Sequence, residues 1–120
     1  MPRFAELKVW QAAHALSLAV YRVTKGFPRD EAYGLTQQVR RAVVSVEANL
    51  AEGQRRRTRK DFRQFVAIAE GSLAEVQCCL LVALDLQYLS ATDHSDLDAQ
   101  ALEIEEMLAG LYRSLDEKQP

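Results

Sequence analysis

The chain has 120 residues, 48% of them hydrophobic and 27% charged, with five Gly and three Pro. That composition excludes disorder and leaves room for one domain, residues 1–120, burying roughly two-thirds of the surface its unfolded form would expose. A net charge of -2 excludes any bulk electrostatic demand for nucleic acid or membrane.

The opening MPRFAELKVW reaches charged residues at once, unlike a secretory signal, and no uninterrupted apolar run approaches the ~20 residues of a membrane helix. A cytoplasmic protein without membrane contact is expected. Val9, Ala12, Leu16, Ala19 and Val23 recur at spacings of three and four, predicting a first helix over Phe4 to Lys25 that Gly26, Phe27 and Pro28 stop. Asp30 is the expected N-cap of a second helix, which carries Leu35, Val39, Ala42, Val46 and Asn49 as far as Gly53.

Thr58 and Asp61 resemble a capping box with Asp in place of Glu. They open a third helix with the seam Phe62, Val66, Ala69, Leu73, Val76, Leu80 and Ala83. The polar run Ser90 to Ser95 is expected to break the pattern before a fourth seam of Leu97, Ala101, Ile104, Leu108, Leu111 and Leu115, which ends before Pro120. Strand signals and internal repeats are lacking. The predicted class is therefore all-α, an antiparallel up-down-up-down four-helix bundle.

The third helix has a second, adjoining stripe of Phe65, Ile68, Ser72, Glu75, Cys79, Val82, Leu86 and Leu89. The two stripes span roughly 160°, against the roughly 100° that packing on one core requires. Leu81, Leu84 and Tyr88 add apolar side chains on the remaining face. A helix apolar nearly all round must be buried nearly all round, so the second stripe is the expected oligomer interface; the alternative is a central helix in a monomer. Glu75 within that stripe needs hydrogen-bond donors, with Arg40 or Arg41 as candidates, and together with Ser72 it reads as a polar lock on register. Asn49 takes the same reading, and Gly71 is expected to permit close helix approach.

Catalytic chemistry is not expected. Neither His14 nor His94, the latter placed in a connection, follows an acidic residue by three, so the Glu-x-x-His pair of carboxylate-bridged metal bundles is absent from the sequence. Cys78 and Cys79 point about 100° apart on a helix, poor geometry for joint chelation, with Cys79 the more buried. No phosphate loop, dinucleotide fingerprint or nucleophile elbow occurs, and no metal or cofactor is expected.

Charge is unevenly spread. Arg40, Arg41, Arg55, Arg56, Arg57, Arg59, Lys60 and Arg63 crowd the middle, while Asp93, Asp96, Asp98, Glu103, Glu105, Glu106, Asp116 and Glu117 dominate the end. The basic group is the candidate nucleic-acid-binding set, because the guanidinium fork matches phosphate oxygens and each neutralised phosphate releases counterion. Pairing with the acidic fourth helix of the same or another subunit, and simple solvation, are the other two readings. No aromatic residues interleave Arg55 to Lys60, which argues against base recognition there.

Leu7, Val9, Trp10, Ala13, Leu16, Val20 and Tyr21, then Phe27, Pro28, Glu31, Tyr33, Gly34 and Leu35, carry a family likeness. It continues through Gln38, Arg40, Arg41, Ala42, Ser45 and Asn49-Leu50-Ala51-Glu52-Gly53. Phe62, Phe65, Ile68, Ala69, Gly71, Ser72, Glu75, Leu80, Ala83, Leu86, Tyr88 and Leu89 extend it along the third helix. With these residues the chain resembles the small bacterial four-helix-bundle proteins first noticed as reading frames in intervening sequences of 23S ribosomal RNA genes. Leu50 and Val66 stand where Ile and Leu are common, both conservative departures. The resemblance implies a homo-oligomer, a ring of five subunits. That family is in turn similar to the accessory variability protein of diversity-generating retroelements, a basic pentamer that binds nucleic acid and its reverse transcriptase. The function expected is a non-enzymatic oligomeric scaffold that contacts RNA or DNA; the alternative is a protein-interaction or structural module that does not.

Overall fold

The computed structural model describes residues 1–116. Its helices are α1 (Lys8–Thr24), α2 (Leu35–Gln54), α3 (Arg59–Asp85) and α4 (Ala91–Ser114), with no strand among the described residues. Glu117 and Pro120, named above, lie outside those residues.

Three boundaries differ from the periodicity, each for a local reason. Leu7 is extended (φ -70, ψ 125), so Arg3–Glu6 forms a separate 3-10 turn and α1 starts at Lys8 instead of Phe4. The Gln11 amide ties that turn back by donating to the Ala5 carbonyl at 2.8 Å. Asp30 does not cap α2, because Arg29–Glu31 is itself a 3-10 turn. Glu31 takes the role instead, with Oε1 accepting the Leu35 amide at 3.1 Å.

The third difference is at the α3–α4 connection. The polar run from Ser90 does not interrupt structure; Ser90 is the N-cap of α4 and accepts the Asp93 amide at 3.0 Å. His94 consequently lies in the first turn of α4, not in a connection. The connection itself is short because Gln87 adopts φ 64, turning the chain so that the Tyr88 and Leu89 amides both reach the Ala83 carbonyl. By contrast Thr58 caps α3 as its spacing predicts, accepting the Asp61 amide at 3.1 Å.

Each helix packs on two others, α2 on α1 and α3, α4 on α3 and α1, in a body 49 × 22 × 22 Å. The predicted seams supply most of one core, with Leu16, Val39, Val46, Val66, Leu73, Val76, Leu80, Ile104 and Leu108 almost completely buried. Each fully buried Leu or Ile contributes about 1.5–3 kcal/mol of transfer free energy. Ala13, Val20, Val43 and Leu50 join them, while Ala12, Val23 and Asn49 are only half-buried. A helix touching two neighbours buries an arc wider than one three-four stripe, and the arc is centred beside the stripe chosen by spacing alone.

Paired contacts join α2 and α3. Gln38 Nε2 donates to Glu75 at 3.4 Å, Ser45 and Ser72 share a hydroxyl hydrogen bond of 2.9 Å, and Gly53 lies against Phe65. Residue numbers thus rise on α2 as they fall on α3. Gly53 is required there, since a Cβ would stand 2.6 Å from Phe65 Cβ and 2.9 Å from Phe62 Cδ1. Gly71 has no such role; a Cβ there meets nothing within 4 Å, which overturns the expectation of close approach inside the chain.

Polar groups hold α1 to α2. Glu47 accepts from Ser17 Oγ at 2.6 Å and meets His14 Nδ1 at 2.9 Å, and the Trp10 ring stacks on His14 with centroids 4.8 Å apart. The three residues come from two helices, so periodicity within either one does not reveal them.

Candidate functional site

The second stripe of α3 divides. Cys79 and Leu89 are buried in the core, and Phe65 and Ser72 are half-buried against α2, so these four members are occupied within the chain. Burial raises the Cys79 thiol above its usual range, reinforced by the nearby Glu75 charge and by Cys78. Ile68, Val82 and Leu86 remain 51%, 41% and 51% exposed, and Leu81 from the adjoining face is 52% exposed. Between Ala67 and Leu86, the exposed positions on α3 are apolar or glycine except Glu75 and Asp85. Isolated exposed leucines are ordinary; four large apolar side chains exposed along one helix and its C-cap, with Glu75 between Ile68 and Val82, are less so.

The same helix, Arg59–Asp85, is long and apolar enough to cross a membrane by length and composition, with a mean hydropathy of 1.7 over 18 residues. Inspection of uninterrupted runs misses this because scattered polar residues such as Ser72 and Gln77 break the run without lowering its average much. One-third of that window, 33%, is buried in the chain. What distinguishes α3 is the apolar surface left over.

Beside this face, α2 and α3 border an open groove of about 480 Å³, lined by Tyr33, Gln38, Arg41, Ser45, Ser72 and Glu75 among others. Glu75 is exposed rather than buried and, among the described residues, takes only the long Gln38 hydrogen bond; neither arginine suggested for it is bonded to it. Asn49 is no cross-helix lock either, since its side-chain amide donates to the carbonyl and hydroxyl of Ser45 on its own helix.

The basic residues fall into two groups. Arg40 reaches the end of α1, donating from Nε to Thr24 Oγ1 at 2.8 Å and from Nη2 to the Tyr21 carbonyl at 3.3 Å, with its guanidinium over the Tyr21 ring. Arg59 donates to the Ser114 carbonyl, and Arg63 donates from Nε to the Tyr112 carbonyl at 3.1 Å with its guanidinium 3.7 Å from the Tyr112 ring centroid. These cations sit at the carbonyl ends of α1 and α4, where orphan acceptors and the negative end of the helix dipole favour them. Arg56 pairs with Glu52 at 3.0 Å and covers the Phe65 ring. Arg41, Arg55, Arg57 and Lys60 have no side-chain hydrogen bond or ion pair among the described residues.

Pairing of the basic segment with α4 therefore occurs, but through backbone carbonyls. No ion pair joins the segment to an α4 carboxylate among the described residues. Of the eight candidate nucleic-acid residues, Arg41, Arg55, Arg57 and Lys60 are the four without side-chain partners among the described residues, with Arg56 exposed beside them.

The profile of the 23S rRNA-intervening sequence protein family matches residues 5–110. Among solved structures, a protein of unknown function from the S23 ribosomal protein family of Bacteroides thetaiotaomicron is similar, with a TM-score of 0.81 and 18% identity over 87% of this chain and 97% of that one. At that identity the likeness speaks for the fold. No curated protein matches the chain.

Proposed function

Since the chain belongs to the 23S rRNA-intervening sequence protein family, we propose that it is a non-enzymatic cytoplasmic scaffold, an antiparallel up-down-up-down bundle whose copies assemble through the exposed face of α3. The observation that carries this reading is the set of large apolar side chains left exposed along α3, Ile68 on one side of Glu75 and Leu81, Val82 and Leu86 on the other, each 41% to 52% exposed. At about 25 cal/mol per Å² of apolar area removed from water, burying such a face against another copy favours association. Arg41 and Glu75 in the adjoining groove supply one charge of each sign without an ion pair among the described residues, suited to pairing between subunits. The subunit number proposed is five, as the resemblance implies.

Light scattering across a dilution series tests the assembly. A multiple of the 13.5 kDa chain mass is expected; a single-chain mass at every concentration overturns it. Co-sedimentation of a single-chain species with lipid vesicles would assign the α3 face to a membrane instead.

A second reading, contact with RNA or DNA, is favoured by Arg41, Arg55, Arg57 and Lys60, the members of the basic set with no side-chain partner among the described residues. Binding measured against salt should weaken linearly on logarithmic axes. An assembly that binds neither RNA nor DNA at low salt would leave the protein-interaction module.

A further inference from the structure

Arg3 is far from the basic segment in the sequence. Folding places it beside that segment. The 3-10 turn Arg3–Glu6 packs on α2, and Pro2, Arg3, Phe4, Gln54, Arg55 and Arg56 line an open pocket of about 560 Å³. That volume lies within the range of small-ligand sites. Three guanidinium groups border it, and among the described residues only Arg56 has a carboxylate partner, Glu52.

The end of α2 opposes an anion here, since the unsatisfied carbonyls of a helix terminus amount to about half a negative charge. Two unpaired guanidinium groups outweigh that half charge. The remaining wall is Phe4, half-buried with its ring tilted against Trp10 at a centroid distance of 5.1 Å, which braces it from behind. Gln54 adds an amide able both to donate and to accept. Cationic forks, an aromatic wall and an amide form a combination suited to a phosphate linked to a flat base.

From this arrangement we infer that the pocket between the N-terminal turn and the end of α2 binds a nucleotide unit, its phosphate on Arg3 and Arg55 and its base against Phe4. The inference rests on the nucleic-acid reading of the basic segment and gives it a location, one that Lys60 and Arg57 do not line. The nucleotide is either free or part of an RNA strand, since the recognising chemistry is the same.

The test is fluorescence anisotropy of a labelled single-stranded RNA on the full-length protein, with unlabelled adenosine diphosphate and inorganic pyrophosphate as competitors. Arg3→Ala combined with Arg55→Ala should weaken RNA binding by about tenfold or more, the scale of a charge-assisted hydrogen bond. Phe4→Leu should weaken it by about tenfold with little change in the salt slope, because stacking is lost and no phosphate contact is. Circular dichroism and scattering mass should stay unchanged in the arginine pair, both side chains being exposed.

Where the Arg3 and Arg55 pair loses binding, competition by adenosine diphosphate would identify a free nucleotide as sufficient, and competition by RNA but not by adenosine diphosphate would identify the strand. If Arg57→Ala with Lys60→Ala abolishes binding while the Arg3 and Arg55 pair binds as wild type, the pocket is wrong and nucleic-acid contact stands. No binding of RNA or either competitor by the wild type overturns both.

Discussion

The phenol of Tyr88, in the turn after α3, donates a 3.1 Å hydrogen bond to Oε2 of Glu31, whose Oε1 accepts the amide that begins α2. One carboxylate thus ties the α1–α2 connection to the α3–α4 connection, and the Phe27 ring packs on Tyr88 with centroids 5.8 Å apart. The Leu35 contact is local, but Tyr88 and Glu31 are 57 residues apart.

The Glu31 hydrogen bond, followed by burial and the charges of Glu31 and Asp30, raises the Tyr88 phenol above its ordinary 10.0. A raised folded-state value means that the contribution is complete below the unfolded value and is lost as pH climbs through the folded one. Thermal melts should therefore show a loss of stability above about pH 10 that Tyr88→Phe removes. Identical alkaline profiles for the two proteins would contradict this.

Gln87 holds φ 64, a conformation that costs a side-chain-bearing residue roughly 1 kcal/mol and glycine almost nothing. Gln87→Gly should stabilise the chain by up to about 1 kcal/mol, less whatever the added flexibility costs in the unfolded state. Urea denaturation measures it, and a destabilised variant would show that the glutamine has an interaction that outweighs its backbone cost.

Two glycine-to-alanine changes should have opposite signs. Gly53→Ala drives a methyl into Phe65 and Phe62 and is expected to cost about 1–3 kcal/mol by overpacking. Gly71→Ala meets open space on a helix and should stabilise a single chain by about 0.5–1 kcal/mol. Chemical denaturation of dilute protein distinguishes the two, and equal effects would mean that α2 and α3 do not approach as described.

Ile68→Lys with Leu86→Lys places charge on the proposed assembly face, where both side chains are 51% exposed. Helicity should persist while the scattering mass falls toward 13.5 kDa. Retention of the wild-type mass would locate the interface elsewhere.

Arg59→Met and Arg63→Met remove donors from the last carbonyls of α4. Loss of stability by about 1 kcal/mol each is expected, with RNA affinity and its salt slope little changed because these cations are already engaged within the chain. A steep fall in affinity at unaltered stability would return both residues to the nucleic-acid set.

Much of this molecule is legible in its sequence. Apolar spacing in Val66, Ala69, Leu73, Val76, Leu80 and Ala83 found the core side of α3, and Thr58 with Asp61 located its start, because both are local rules of a helix with 3.6 residues per turn. Ser90 shows where such reading fails. Its polar run is as consistent with an interruption as with a capped first turn, and only the observed Asp93 amide contact decides between them.

The sequence by itself determined that there are four amphipathic helices and that the third is too apolar to be covered by one seam, since side-chain period and composition are properties of the local chain. Only the tertiary structure decided which part of the second stripe stays exposed, separating Cys79 and Leu89 from Ile68, Val82 and Leu86. It also decided which arginines are engaged, because the acceptors for Arg63 and Arg59 lie 49 and 55 residues away, and brought Arg3 to Arg55. Burial and long-range hydrogen bonding depend on what packs alongside a helix, and no period within the helix encodes its neighbours.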